Sequence, residues 1–160
     1  MAVQVNDKLP EMELIIVDAD GQTKKPAADV VGSGKVVLFS VPGAFTPTCS
    51  AKHLPGFVQH AKDFQGKGVD KIVCLAVNDA FVMEAWGKEA GAMDDVVMVA
   101  DHDASFSKAL GLTFDGSAFG LGLRSQRFAL VAENGVVTQL FVEEPGAFEV
   151  SSAEHVLRHL

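Results

Sequence analysis

The stretch KVVLFSVPGAFTPTCSAKHLPGF, residues 35–57, decides how the chain is read. Its first seven residues form a β-branched and aromatic run of the length of a buried strand. Two prolines and a threonine then precede a lone cysteine. Thr46 suits a helix N-cap, and Pro47 suits the first helical position because its missing N–H would have had no partner there anyway. Cys49 then falls at the third helical position. A strand running straight into a helix start is half of a βαβ unit, and ligands of such sheets bind beyond the carboxyl ends of the strands. The Thr46 oxygen is expected to accept from the Cys49 amide, leaving its hydroxyl proton free for the sulfur or a substrate oxygen. Unpartnered first-turn amides and the helix dipole favour a thiolate. The residues alone leave a second reading open, in which Cys49 is a small hydrophobe near a helix start.

Outward from this stretch the elements alternate. ELIIV is a strand ending at the turn signal DADG, and the helix opened by Thr46 is expected to run to Gly66 or Gly68 with a kink at Pro55. KIVCLAV is a second buried strand, NDAFVMEAWGKEAG a helix, DVVMVA a strand and DASFSKALG a short helix capped by Asp103. FDGSAFGLGLRSQRF reads as a loop, RFALVAENGVVTQLFV as a hairpin turning at ENG, and SSAEHVLRHL as a closing helix capped by Ser151 or Ser152. The pattern predicts an α/β fold: one domain over residues 1–160, with a mixed central sheet flanked by helices on both faces.

Composition narrows the function. The chain has 160 residues, 48% of them hydrophobic, and a net charge of −8, so it lacks the positive field that attracts nucleic acid. Two cysteines are too few for a disulfide scaffold, and no charged-then-apolar leader opens the chain, which favours a reducing, cytoplasmic setting. The longest apolar runs fall far short of the ~18–20 residues that cross a bilayer.

The spacing P-x-x-x-T-x-x-C, filled by Pro42, Thr46 and Cys49, resembles the peroxiredoxin active-site motif. The longer string PGAFTPTCSAKHLPGF resembles the type II, or 5-type, subfamily, as do VNDAFVMEAW, LGLRSQRFALV and SSAEHVL further on. The plant-like members are the nearest in character. The resemblance implies a thioredoxin-like fold and reduction of hydrogen peroxide and alkyl hydroperoxides by a peroxidatic cysteine. It makes Cys49 the nucleophile, Thr46 a hydrogen-bonding partner of sulfur and peroxide, Pro42 a shield against water, and Arg127 the active-site arginine. It also implies that Phe45, Phe81, Phe119 and Leu121 line the substrate approach or a homodimer contact. No metal, haem or flavin is implied. The C-terminal resolving cysteine that some members carry has no counterpart in GAFEVSSAEHV, so the expected reductant is external: glutathione with glutaredoxin, or thioredoxin.

Other residues have two readings. His53, four residues after Cys49, could tune the thiolate or simply pack. Cys74 lies in a β-branched run that suggests an inert buried thiol, with a resolving role as the weaker reading. His155 and His159 share a helix face, but without further ligands nearby they read as a solvated face rather than a metal site. Two alternatives compete with the peroxidase: a cysteine hydrolase using a histidine oriented by Asp79 or Asp101, and a redox-regulated binding or chaperone-like module in which oxidation of Cys49 alters assembly.

Overall fold

The computed structural model describes residues 2–160. In chain order the strands are β1 (Glu13–Asp18), β2 (Gly21–Pro26), β3 (Lys35–Val41), β4 (Lys71–Ala76), β5 (Val97–Ala100), β6 (Thr113–Asp115), β7 (Leu123–Ser125), β8 (Phe128–Glu133) and β9 (Val136–Val142). The helices are α1 (Ala27–Val31), α2 (Leu54–Gln59), α3 (Ala61–Gly66), α4 (Ala80–Glu89), α5 (Ser105–Leu110) and α6 (Ala153–Arg158). Seven strands form one mixed sheet in the order β2-β1-β5-β4-β3-β8-β9, and β6 pairs with β7 separately. Strands β3, β4 and β5 are parallel, while β1 and β8 add antiparallel neighbours on either side.

Alternation along the central strands produces the two layers. Val37, Phe39 and Val41 of β3, with Ile72, Cys74 and Ala76 of β4, face a core completed by Leu54, Phe57, Phe64, Met83, Trp86 and Val156. Val36 and Leu38, with Val73 and Leu75, face the opposite core, closed by Val30, Phe106 and Leu110. Burying each such side chain contributes roughly 1.5–3 kcal/mol, so a strand apolar on both sides belongs at the sheet's centre. Phe39 stacks on Phe57 with centroids 4.1 Å apart, and Phe57 on Phe64 at 5.3 Å. The first stack anchors the helical segment behind Cys49 to the sheet, and the second ties α2 to α3.

The hairpin turn forms as expected, because Asn134 and Gly135 both take positive φ, 51° and 83°, as a two-residue turn between right-twisted strands requires. Ser152 caps α6 by accepting from the His155 amide. Three expectations need correction. The helix after Thr46 is not one rod with a kink at Pro55: a wide π turn occupies Cys49–His53, ahead of the proline, and the chain breaks again at His60 between α2 and α3. Proline lacks an N–H and its ring crowds the carbonyl four residues back, so the irregularity is displaced upstream.

Asp103 is not the main cap of α5. Ala104 precedes the helix with φ 62°, and the buried Asp101 accepts from the Phe106 and Ser107 amides and the Ser107 hydroxyl. Asp103 instead bonds locally to Ser105. The segment expected to be all loop contains the β6–β7 pair, with Phe114 opposite Arg124. Strand β2 and helix α1 escape the sequence pattern, since GQTKKP is polar and mostly exposed and α1 has only five residues.

Candidate active site

Pro47 and Thr48 open the helix, and the Ser50 amide donates to the Thr46 carbonyl, so Thr46 precedes the first turn and Cys49 occupies its third position as the spacing implies. Cys49 is fully buried, eight residues beyond the carboxyl end of β3 and in the same core cluster as Val41. The expected role of the Thr46 hydroxyl is corrected: it donates to the Gly43 carbonyl at 2.7 Å, an acceptor that the turn between Gly43 and Thr46 brings within reach. Its proton is therefore engaged, and its oxygen lone pairs are what it has left to offer.

The 42–46 loop is held from outside by residues the sequence reading passed over. The Ala44 amide donates to the Asn78 side-chain oxygen. Arg124 donates through Nε to the Leu121 carbonyl and through Nη1 to the Val77 carbonyl at 3.1 Å and the Pro42 carbonyl at 3.5 Å. One guanidinium thus ties three chain segments together, which a lysine could not do. It passes so close to Gly43 that a Cβ there would sit 3.0 Å from Nη1. Phe45 takes φ 63° in this loop, a conformation that costs of order 1–3 kcal/mol and persists only where neighbours enforce it.

Arg127 comes from the opposite side, between β7 and β8. Its Nη2 donates to Cys49 Sγ at 3.1 Å, and its Nη1 to His53 Nδ1 at 2.8 Å. Among the described residues, no carboxylate lies within ion-pair distance of it, so its charge is directed at the sulfur and whatever approaches it. Its guanidinium carbon also stands 5.8 Å from the centre of the Phe148 ring.

His53 is wholly buried between Phe39, Phe57 and Phe148. Burial, then the charge of Arg127, push its pKa down to about 3 against the raising effect of the Ser151 carbonyl. The ring is neutral, and its partners fix the tautomer. Nε2 faces the Ser151 carbonyl at 3.0 Å, which can only accept, so Nε2 carries the proton. Nδ1 then offers its lone pair to Arg127, which can only donate. His53 therefore reaches Cys49 through Arg127, as an acceptor that orients the guanidinium. The π turn contributes to this placement, because it widens the spacing on which the four-residue expectation rested.

Cys74 lies opposite Phe39 and Met98 in β4 and is fully buried. Burial pushes its thiol up, the neighbouring Cys49 adds to the rise, and Arg127 opposes it. Both thiols are free. The loop residues separate: Phe81 and Phe119 are about three-quarters exposed and Phe45 about half, whereas Leu121 folds back over Gly116 and leaves Leu123 as the exposed aliphatic.

A pocket of about 580 Å³ opens beside Arg127. Thr48, which precedes Cys49, lines it together with Pro42, Phe114, Phe119, Pro145 and Ala147, and the polar part of its wall is Arg127, Gln126, Glu143 and Glu144. Asp79 and Asp101 are spent on helix caps, at Val82 and at Phe106 and Ser107, so the acid–histidine–cysteine alignment of a hydrolase is not assembled. His155 meets the Phe141 ring edge-on and His159 lies tilted against it, and among the described residues no group of three or more His, Cys, Asp or Glu is placed to hold a metal ion. Among the described residues, no helix is long and apolar enough to cross a membrane. Phe148 lies in an irregular segment with no periodicity to mark it, and in the sequence Ser151 reads only as a candidate helix cap.

The Redoxin family model matches residues 4–157. The chain is 50% identical to the chloroplastic Peroxiredoxin-2E-2 of Oryza sativa subsp. japonica, over 99% of this chain and 72% of that protein. It is 46% identical to Peroxiredoxin-2C of the same plant, over 99% and 98%. The crystal structure of reduced Prx3 from Vibrio vulnificus in complex with H2O2 superposes with a TM-score of 0.92 at 50% identity, covering 98% of each chain.

Proposed function

Given that this chain belongs to the redoxin family as a type II peroxiredoxin, a thiol-dependent peroxidase with a thioredoxin-like fold, we propose that Cys49 is its peroxide-attacking nucleophile and Arg127 the principal donor to the reacting oxygens. The observation that carries this is the 3.1 Å contact between Arg127 Nη2 and Cys49 Sγ at the carboxyl end of β3. The thiolate attacks one peroxide oxygen in line, the O–O bond breaks, and the departing oxygen takes the electron pair and, from solvent, the proton that the thiol gave up on ionising, to leave as water or an alcohol. Sulfur is left as a sulfenic acid. The charge that grows on the departing oxygen meets Arg127 and the amides of the helix start, groups already in position before reaction. Pro42 on the pocket wall keeps water from the sulfur, and the Thr46 oxygen accepts from the incoming hydroperoxide.

Hydrogen peroxide and organic hydroperoxides are the substrates in this reading; the apolar pocket beside Arg127 supports the organic ones, whose tails it would shelter. The reductant is an external thiol, glutathione with glutaredoxin or thioredoxin. It condenses with the sulfenic acid, releasing water and forming a mixed disulfide that a second thiol cleaves. The burial of Cys74 in a central strand supports an external partner over an internal one. Two free thiols and a redox cycle of this kind suit a cytoplasmic setting. Stopped-flow mixing of the reduced protein with hydrogen peroxide and with cumene hydroperoxide tests the substrate reading through Trp86, whose indole donates to Ser50 beside Cys49. Fast signals with both are expected, and no reaction with the bulkier peroxide would eliminate the tail-binding role of the pocket.

The exposed Phe45, Phe81 and Phe119, with Leu123, support a homodimer contact close to the site. Light scattering should give twice the chain mass at micromolar concentration and half that value for Phe81→Asp, whereas a wild-type monomer at every concentration would exclude the dimer.

A further inference from the structure

The peroxidase reading uses Cys49 and Arg127 and leaves a buried carboxylate unexplained. Glu143 follows the last residue of β9 and is only 7% exposed. One of its oxygens, Oε2, accepts three hydrogen bonds: from the Glu149 amide at 2.7 Å, the Ser151 amide at 2.8 Å and the Ser151 hydroxyl at 2.7 Å. Burial works to raise this carboxyl, but the Ser151 hydroxyl and the amides of Ser151, Glu149 and Val150 outweigh it and hold it below the ordinary carboxylate range. It is a charged acceptor at the centre of an irregular segment, and charge-assisted bonds of this kind are about twice as strong as neutral ones.

What the carboxylate holds is the segment that touches Arg127. Ser151, gripped by both its amide and its hydroxyl, presents the carbonyl that fixes the His53 tautomer. Phe148, inside the loop that Glu143 closes, stands beside the Arg127 guanidinium. The Glu143 amide in turn donates to the Arg127 carbonyl at 3.0 Å. A single residue thus sets Arg127 from its main chain and, through Ser151 and His53, from its side chain.

Resting on the peroxidase reading above, we infer that Glu143 is a positioning residue for the reaction, holding the Arg127 guanidinium against the Cys49 sulfur through Ser151 and His53. The bland alternative is a carboxylate that merely stitches a loop to the fold. The two differ in where its loss is felt. A stitch affects stability alone and acts independently of His53, whereas a relay acts on the rate and does so only while His53 is present to pass it on.

The test is Glu143→Gln, which keeps the shape and removes the charge. The rate constant of the reduced protein with hydrogen peroxide should fall about tenfold while the melting temperature moves by no more than about 5 °C. In a His53→Ala background the same change should cost less than about twofold further. An imidazole 15N spectrum of the wild type should show His53 protonated at Nε2 alone, and Glu143→Gln should give a mixture of tautomers. Should that variant lose its fold, Ser151→Ala, which removes one of the three donors, carries the same readouts with an expected loss of about threefold. A wild-type rate in the folded variant, or an equal loss with and without His53, overturns the relay alone. A wild-type chain that does not react with peroxide overturns the reading on which it rests, and the relay with it.

Discussion

Cys49→Ser should leave a folded protein that no longer consumes hydrogen peroxide, its rate constant falling by at least about 10³-fold. A hydroxyl in that position stays protonated at neutral pH and has no sulfur lone pair to place on a peroxide oxygen. The fold should tolerate the change, because the residue lies in the first turn of a helical segment and Arg127 Nη2, now beside an oxygen, still has an acceptor. Loss of peroxide measured by stopped flow, with melting temperature as the control, settles the matter. After one equivalent of peroxide, a dimedone adduct should be found on Cys49 in the wild type and nowhere in the variant. Retained turnover in Cys49→Ser, or an adduct on Cys74, would transfer the chemistry to the second thiol and require β4 to open.

Arg127→Gln should be the next most damaging change, slowing reaction with peroxide by about 10²–10³-fold, the range seen when one preorganised donor is removed from developing negative charge. Three contacts go together: the donor to Cys49 Sγ, the donor to His53 Nδ1 and the contact with Phe148. Glutamine is too short to restore the first two at once. Arg127→Lys separates charge from geometry, because an ammonium brings the charge without the fork that reaches sulfur and imidazole simultaneously. About tenfold of the wild-type rate should still be missing in that variant. Full activity in Arg127→Lys would mean that a point charge suffices, and full activity in Arg127→Gln would remove Arg127 from the reaction. His53 gives a second readout, since the charge of Arg127 is one of the causes of its low pKa, and its titration should move up in Arg127→Gln.

Much of the site is legible in residues 35–57. A seven-residue run rich in β-branched and aromatic residues has the length and composition of a buried strand, and Thr46 followed by Pro47 marks a helix start, so the position of Cys49 follows from local rules. The same rules place the Asn134–Gly135 turn and the Ser152 cap. They fail at Asp101 and Asp103, because two carboxylates two residues apart are equally good caps in sequence, and only burial and the left-handed Ala104 between them select Asp101. They also fail at Leu121 and Leu123, where glycine-rich chain gives no period to say which leucine is turned inward.

The strand-to-helix unit, the residue that carries the sulfur and its place after a central strand are written in local chain, since each depends on near neighbours. Tertiary structure alone decided what surrounds the sulfur. Arg127 lies 78 residues from Cys49, His53 meets the Ser151 carbonyl across 98, and Arg124 reaches the Pro42 loop across 82. Contacts over such separations exist only because sheet register and the packing of the C-terminal segment bring distant chain together. No local propensity encodes them.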